Sequence, residues 1–290
     1  MAQDVPSITS KRYMTYICEY EDNTTGFLRT SFAFVDGEHA VWYGQIDNVR
    51  RHDMTIEDMR RVMHRLPDDI LYPEVISGLT ILPDADAVKK CYIKGPELFA
   101  LEDPEMNSKL PKLLIKEAQI LELLKPHGHK DLAKYHGCVS KRGRIVGIAL
   151  DRHSILLPYR LKQDPRDLDI AACMDGLRAG VEHLHSLGFA HNNLKPSTIA
   201  LDAADQPVIL DFEACRRFGE PLLNGRRRRW NDEDCRASDR HHDISALLEI
   251  ESWLLRQRPP REEETQEPPT MIRPLESCIK KLVAYLLGQH

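Results

Sequence analysis

The chain has 290 residues, 42% hydrophobic and 29% charged, enough for one large core or two modest ones and ordinary for a globular protein. A formal net charge of -5 argues against a nucleic-acid partner or an anionic membrane surface, because both ask for a basic footprint. The start MAQDVPSITSKRY has no apolar signal-peptide core, and no run of about eighteen apolar residues follows, so no membrane span is expected and the expected address is intracellular: cytoplasmic, with the nucleus left open.

In chain order, three β-like runs come first: RYMTYIC, LRTSFAFV and AVWYGQI, with Asp36-Gly37 as a turn signal between the last two. Thr55 and Asp58 resemble a capping box, and Ile56, Met59, Val62, Met63 and Leu66 keep helical spacing until Pro67. Residues 70–94 return to strand-like text, and 108–125 read as one long helix ended by Pro126. Two strand-like runs, 135–139 and 144–150, flank a turn at 140–143. Asp164-Pro165 signals a further helix whose apolar stripe is Leu168, Cys173, Leu177, Val181, Leu184 and Leu187, closed by Gly188. Short β-like pieces TIALD and PVILDF follow, then helices over 243–255 and 275–287, with a Pro- and Glu-rich linker near 257–270 between them.

Seven scattered cysteines without a C-x-x-C pair point to free thiols in a reducing compartment. His183 and His185 stand two apart on a helix, so they face different ways and cannot share one metal. One buried charge is signalled by pattern alone. Glu117 stands among Leu113, Leu114, Ile120, Leu121 and Leu124, which puts a carboxylate on the apolar face of its helix and demands a cationic partner, for which Lys94 is the obvious choice.

The segment His191-Asn-Asn-Leu-Lys-Pro-Ser-Thr198, followed by Val208-Ile-Leu-Asp-Phe-Glu213, resembles the protein-kinase catalytic core, where H-R-D-L-K-P-x-N precedes D-F-G. Tyr92-Ile93-Lys94 is similar to the kinase V-A-I-K strand. Over about residues 85–257 the text resembles the kinase-like proteins of filamentous fungi. That resemblance implies an α+β, two-lobed protein-kinase-like fold: a β-rich extension with one helix over 1–80, an N-lobe over 81–153, and a mainly helical C-lobe over 154–290, shortened because 79 residues follow Asp211. It implies ATP and magnesium as cofactors, Lys94 on the phosphates and paired with Glu117, and Asp211 on the metal. His191, Phe212 and Asp243 take structural places, Asp243 anchoring the catalytic loop or capping its helix. A protein substrate or a protein partner is implied as well.

The chain departs from that pattern where chemistry is concentrated. The catalytic-base position is Asn193, which carries no charge and takes no proton near neutral pH. The second metal ligand falls on Thr198, whose short hydroxyl is a weaker ligand for a hard cation. Glu213 replaces the glycine of D-F-G, either as an added carboxylate for magnesium or as a side chain in solvent. Lys195 stands two residues from the base position, where it could meet a transferred phosphate. Gly78 is the only glycine between Gly44 and Gly95, so no G-x-G-x-x-G precedes Lys94. Arg226 to Arg229 form a basic run, either a phosphate or acidic-partner site or a solvated charge run. Three functions follow from the resemblance: an ATP-dependent Ser/Thr protein kinase with weak or lost transfer, a pseudokinase that holds a partner protein, or a small-molecule phosphotransferase of the aminoglycoside-kinase type.

Overall fold

The computed structural model describes residues 6–22, 24–83, 85–153, 155–163, 168–222 and 236–257. The chain is mixed α+β and divides into two compact units, one of Met1–Pro126 with Tyr135–Arg152, the other of His127–Lys134 with His153–His290. The expected 275–287 helix, the linker near 257–270 and Arg226 to Arg229 lie outside the described residues. Among the described residues no helix is long and apolar enough to cross a membrane, and the described cysteines 18, 91, 138, 173 and 215 are free thiols.

The first unit opens with an antiparallel sheet of β1 (Tyr16–Asp22), β2 (Phe27–Val35), β3 (Val41–Asp47) and β4 (His64–Arg65) in that order. The first β-like run starts later than its sequence suggests, because Ser10 caps a short 3-10 turn over Lys11–Tyr13. Asp36 closes the β2–β3 connection by accepting the backbone N–H groups of Glu38 and Ala40, a longer loop than a two-residue turn. One face of the sheet carries Phe32 and Trp42 into a core completed by Ile8, Met54, Met59 and Met63. Met59 comes from α1 (Ile56–Val62), whose N-terminus is held by the reciprocal Thr55–Asp58 capping box. The helix stops at Val62, five residues before Pro67: Met63 turns extended and stays buried, freeing β4 to pair with β3.

Residues 70–94 are not a run of strands. They hold the end of α2 (Asp68–Leu71), isolated bridges at Glu74 and Ile81, α3 (Ala85–Lys90) and only one strand, β5 (Tyr92–Lys94). After a 3-10 turn (Leu98–Glu102) and α4 (Pro104–Asn107) comes α5 (Leu110–Leu124), which packs on β6 (Tyr135–Lys141), β7 (Arg144–Leu150) and α2. These two strands form a hairpin closed by Arg142-Gly143, both at positive φ, the mirror-image turn that matches strand twist. Arg142 is held there by a two-point ion pair with Asp68. The sheet order is β5-β7-β6, all antiparallel. A Cβ on Gly147 of β7 would lie 2.5 Å from Ile93 and 3.1 Å from the Lys94 carbonyl, so only glycine lets β5 approach this closely.

In the second unit, β8 (Ile155–Leu156) leads into α6 (Leu157–Gln163). The main helix α7 (Ile170–Ser186) is capped by Asp169, five residues after the start the sequence suggested, with Leu168 buried ahead of it. Then come β9 (Phe189–Ala190), β10 (Ile199–Leu201), β11 (Pro207–Ile209), β12 (Arg216–Arg217) and α8 (Arg240–Gln257). β8, β10 and β11 make one small sheet, β9 and β12 another. α7 packs on α8 and on β11, and Cys173, Met174, Leu177, Val181 and Leu184 of α7 and Ile244, Leu247, Ile250 and Leu254 of α8 are buried in the core of this unit.

Candidate functional site

The first unit holds a buried ion pair between Lys94 and Glu117. β5 delivers Lys94 and α5 delivers Glu117, whose two carboxylate oxygens each lie 2.8 Å from the Lys94 ammonium. Glu117 is 2% exposed at its side chain and Lys94 is 15% exposed. The carboxylate sits on the same helix face as Leu110, Leu113, Leu114 and Leu121, because positions three, four and seven apart share a face. A charge placed there calls for an opposite one beside it, and the lysine supplies it.

The second unit gathers the loop between β9 and β10 around a carboxylate from α8. Asp243, with 0% exposure, accepts the backbone N–H groups of His191 and Asn192 at 2.8 Å each and lies 2.9 Å from Nε2 of His185. The helix opens at Arg240, so Asp243 is not its cap, and its charge is spent on the loop. His183, in contrast, turns away to the carbonyl of His127. His191 is held at both ring nitrogens: Nδ1 accepts from the Asn193 amide N–H, which leaves Nε2–H to donate to the Leu210 carbonyl at 2.9 Å. Its ring meets Phe212 edge-on, with centroids 5.4 Å apart.

Asn192, which sequence reasoning passed over, is the most heavily bonded side chain of this loop. At a φ of 62° it is buried, and its NH2 group donates to the carbonyls of Ala190 and Ala214 and to the hydroxyl of Ser238. Its oxygen accepts from the Asp239 N–H and faces Nδ1 of His242. One amide thus ties the loop to the residues after Asp211 and to the approach to α8. Its only signal was an asparagine in a tight turn, the residue type that tolerates positive φ best after glycine.

Asn193 and Asp211 meet directly. The Asn193 side-chain NH2 donates to Oδ2 of Asp211 at 3.2 Å, and only that end of the amide can face a carboxylate oxygen, which accepts and does not donate. Asp211 has a φ of 66° at the head of a 3-10 turn over Phe212–Ala214, an uncommon conformation for a residue with a side chain. Thr198 is buried, and its hydroxyl is used inside its own turn, accepting from Lys195 N–H and facing the carbonyls of Lys195 and Asn193. Glu213 is buried and not turned to solvent, while Lys195 is half-buried.

Magnesium asks for several oxygen ligands in near-octahedral array. Here one Asp211 oxygen faces an amide donor and the Thr198 hydroxyl is committed to backbone carbonyls, so these side chains fit a magnesium ion poorly. Among the described residues no three His, Cys, Asp or Glu side chains gather as a metal-binding group. An amide at position 193 can orient a hydroxyl by hydrogen bonding but cannot take its proton. The hydrogen bonds of Asp243 and Asn192 hold this loop, and the side chain at position 193 is neutral. No protein-family model matches the chain, and no curated protein matches it.

Proposed function

We propose that this chain is a pseudokinase: a protein-kinase-like fold that has lost phosphotransfer and whose work is to hold a partner protein. The observation that carries the reading is the hydrogen bond from the Asn193 amide to Asp211, which puts a donor against the carboxylate that the resemblance assigns to the metal. Two features support it. The hydroxyl of Thr198 is consumed by its own turn. β5, which bears Lys94, ends its sheet, and among the described residues no strand lies beyond it; the glycine-rich hairpin of an active kinase has no counterpart in the sequence there either.

A second reading, slow ATP-dependent transfer to a protein hydroxyl, is favoured by the buried Lys94–Glu117 pair, which is what phosphate positioning in that family requires. A turnover assay with radiolabelled ATP, magnesium and a generic protein acceptor separates the two. The pseudokinase reading expects wild type, Lys94→Ala and Asp211→Ala to be equal at the blank rate. Turnover by wild type that both substitutions abolish would overturn it in favour of the slow kinase.

A further inference from the structure

The sheet at the start of the chain has two faces. Strand register puts Ile17, Phe32, Trp42 and Ile46 on the side that faces its own core. Tyr16, Ser31, Tyr43 and Gln45 fall on the other side, since Tyr16 and Tyr43 both pair with Ala33 and Gln45 pairs with Ser31. Four hydrogen-bond donors from three strands therefore share one surface, and a single carboxylate collects them. Glu102, the last residue of the 3-10 turn between β5 and α5, accepts at Oε1 from the hydroxyls of Tyr16 and Tyr43, each at 3.0 Å. Its Oε2 accepts from the Ser31 hydroxyl at 2.9 Å and the Gln45 amide at 3.3 Å. Burial, reinforced by the Glu102 charge, pushes the Tyr43 phenol up to about 12 and pushes Tyr16 up as well. Both phenols stay protonated and act as donors.

The connector that carries Glu102 is stiff on either side of it. Leu98 and Ala100 are buried. Asp103 caps α4 by accepting from Glu105 and Met106, and Lys109 pairs with Glu105 at 2.9 Å. The helix that follows has no side-chain cap of its own, for Lys109 at its N-cap makes none. Nearer its other end, Glu122 accepts the backbone N–H and hydroxyl of Thr80 and the hydroxyl of Tyr135. Glu117 thus lies between two carboxylate clasps, one on each side of it along the chain.

We propose that the N-terminal sheet is a built-in positioner of α5, and that Glu102, docked on Tyr16, Ser31, Tyr43 and Gln45, holds the helix so that Glu117 meets Lys94. Glu102 is a positioning residue, acting through the connector. The inference concerns the first unit alone and stands whether or not the chain binds nucleotide.

The test is hydrogen exchange by mass spectrometry on the full chain, together with the rate at which an amine-acylating reagent labels Lys94. Wild type is compared with Glu102→Ala, with the milder Tyr43→Phe, and with Glu38→Ala, an exposed carboxylate paired to Lys141 in the same unit. Glu102→Ala is expected to speed exchange in peptides over 110–124 about tenfold, as a local opening does, and to raise Lys94 labelling, with peptides over 54–63 unchanged. Tyr43→Phe should repeat the pattern more weakly, and Glu38→Ala should not show it. Unchanged exchange and labelling at α5, or an equal rise over 54–63, would overturn the proposal; should Glu102→Ala fail to fold, the Tyr43→Phe result alone decides.

Discussion

The side-chain amide of Asn193 donates to Oδ2 of Asp211 across 3.2 Å, so the two side chains that the kinase pattern would make carboxylates are here a neutral donor and its acceptor. Placing an acid at position 193 sets two carboxylates at contact distance, and one of them must take a proton or a cation. Asn193→Asp is therefore expected to melt lower than wild type in metal-free buffer, by about 1–3 kcal/mol for a lost bond to a charged group. Millimolar magnesium should restore the difference in the variant and leave wild type unmoved. Melting curves across a magnesium titration check both parts.

The Lys94–Glu117 pair predicts an asymmetry. Lys94→Ala strands a carboxylate that is 2% exposed, whereas Glu117→Gln leaves an ammonium that is 15% exposed and nearer water. Removing one partner of a buried pair costs about 3–5 kcal/mol. Urea denaturation should place Lys94→Ala at the upper end of that range and Glu117→Gln below it. The double variant Lys94→Met with Glu117→Leu, which removes both charges, should recover most of the loss.

Asp243 offers a near-isosteric test of the loop clasp. In Asp243→Asn one end of the new amide is an NH2 that must face the backbone N–H of His191 or Asn192, donor against donor. A loss of about 2–4 kcal/mol is expected, the magnitude of breaking buried hydrogen bonds to a charged acceptor. Amide exchange should rise first over 189–195, which two-dimensional NMR of the labelled protein would show.

Glu122 predicts the pH dependence. Burial pushes its carboxyl up, but the Thr80 and Tyr135 hydrogen bonds and nearby Lys125 outweigh that and hold it below its ordinary value of 4.5. A lowered folded value means the charged form is favoured by folding, so this stabilisation is fully present above the ordinary carboxylate range and is lost as pH falls through the folded value. Glu122→Gln should therefore melt below wild type at pH 7, and the gap should close in strongly acidic buffer. A gap that stayed constant with pH would assign the effect to shape alone.

What could be read from the text depended on how locally each feature is determined. The Thr55–Asp58 box, the 110–124 helix with its inward Glu117 and the hairpin around Gly143 are set by spacing and turn chemistry within a few residues, and they stand close to where the sequence put them. Residues 70–94 misled because Ile81 and its neighbours are apolar for a different reason: they lie along β6 through a single parallel bridge to Cys138, fastened by Glu122, and not in a strand of their own. Met63 kept helical spacing yet serves the core from an extended backbone. The roles of Asn192 and Glu102 were beyond local reading. Both collect partners far along the chain, Ser238 for one and Tyr16 and Tyr43 for the other, and no periodicity marks a residue whose role rests on such partners.

We propose that the Asn193 amide keeps Asp211 from holding magnesium, and the most direct measurement is the melting temperature of wild type and Asn193→Asp with ATP, in the presence and absence of magnesium. A ligand at a hundred times its Kd stabilises by about 2.7 kcal/mol, a shift of several degrees. Adding magnesium to ATP is expected to leave the wild-type midpoint where ATP alone puts it, while Asn193→Asp gains a magnesium-dependent rise. A magnesium-dependent rise in wild type that Asp211→Ala removes would contradict it.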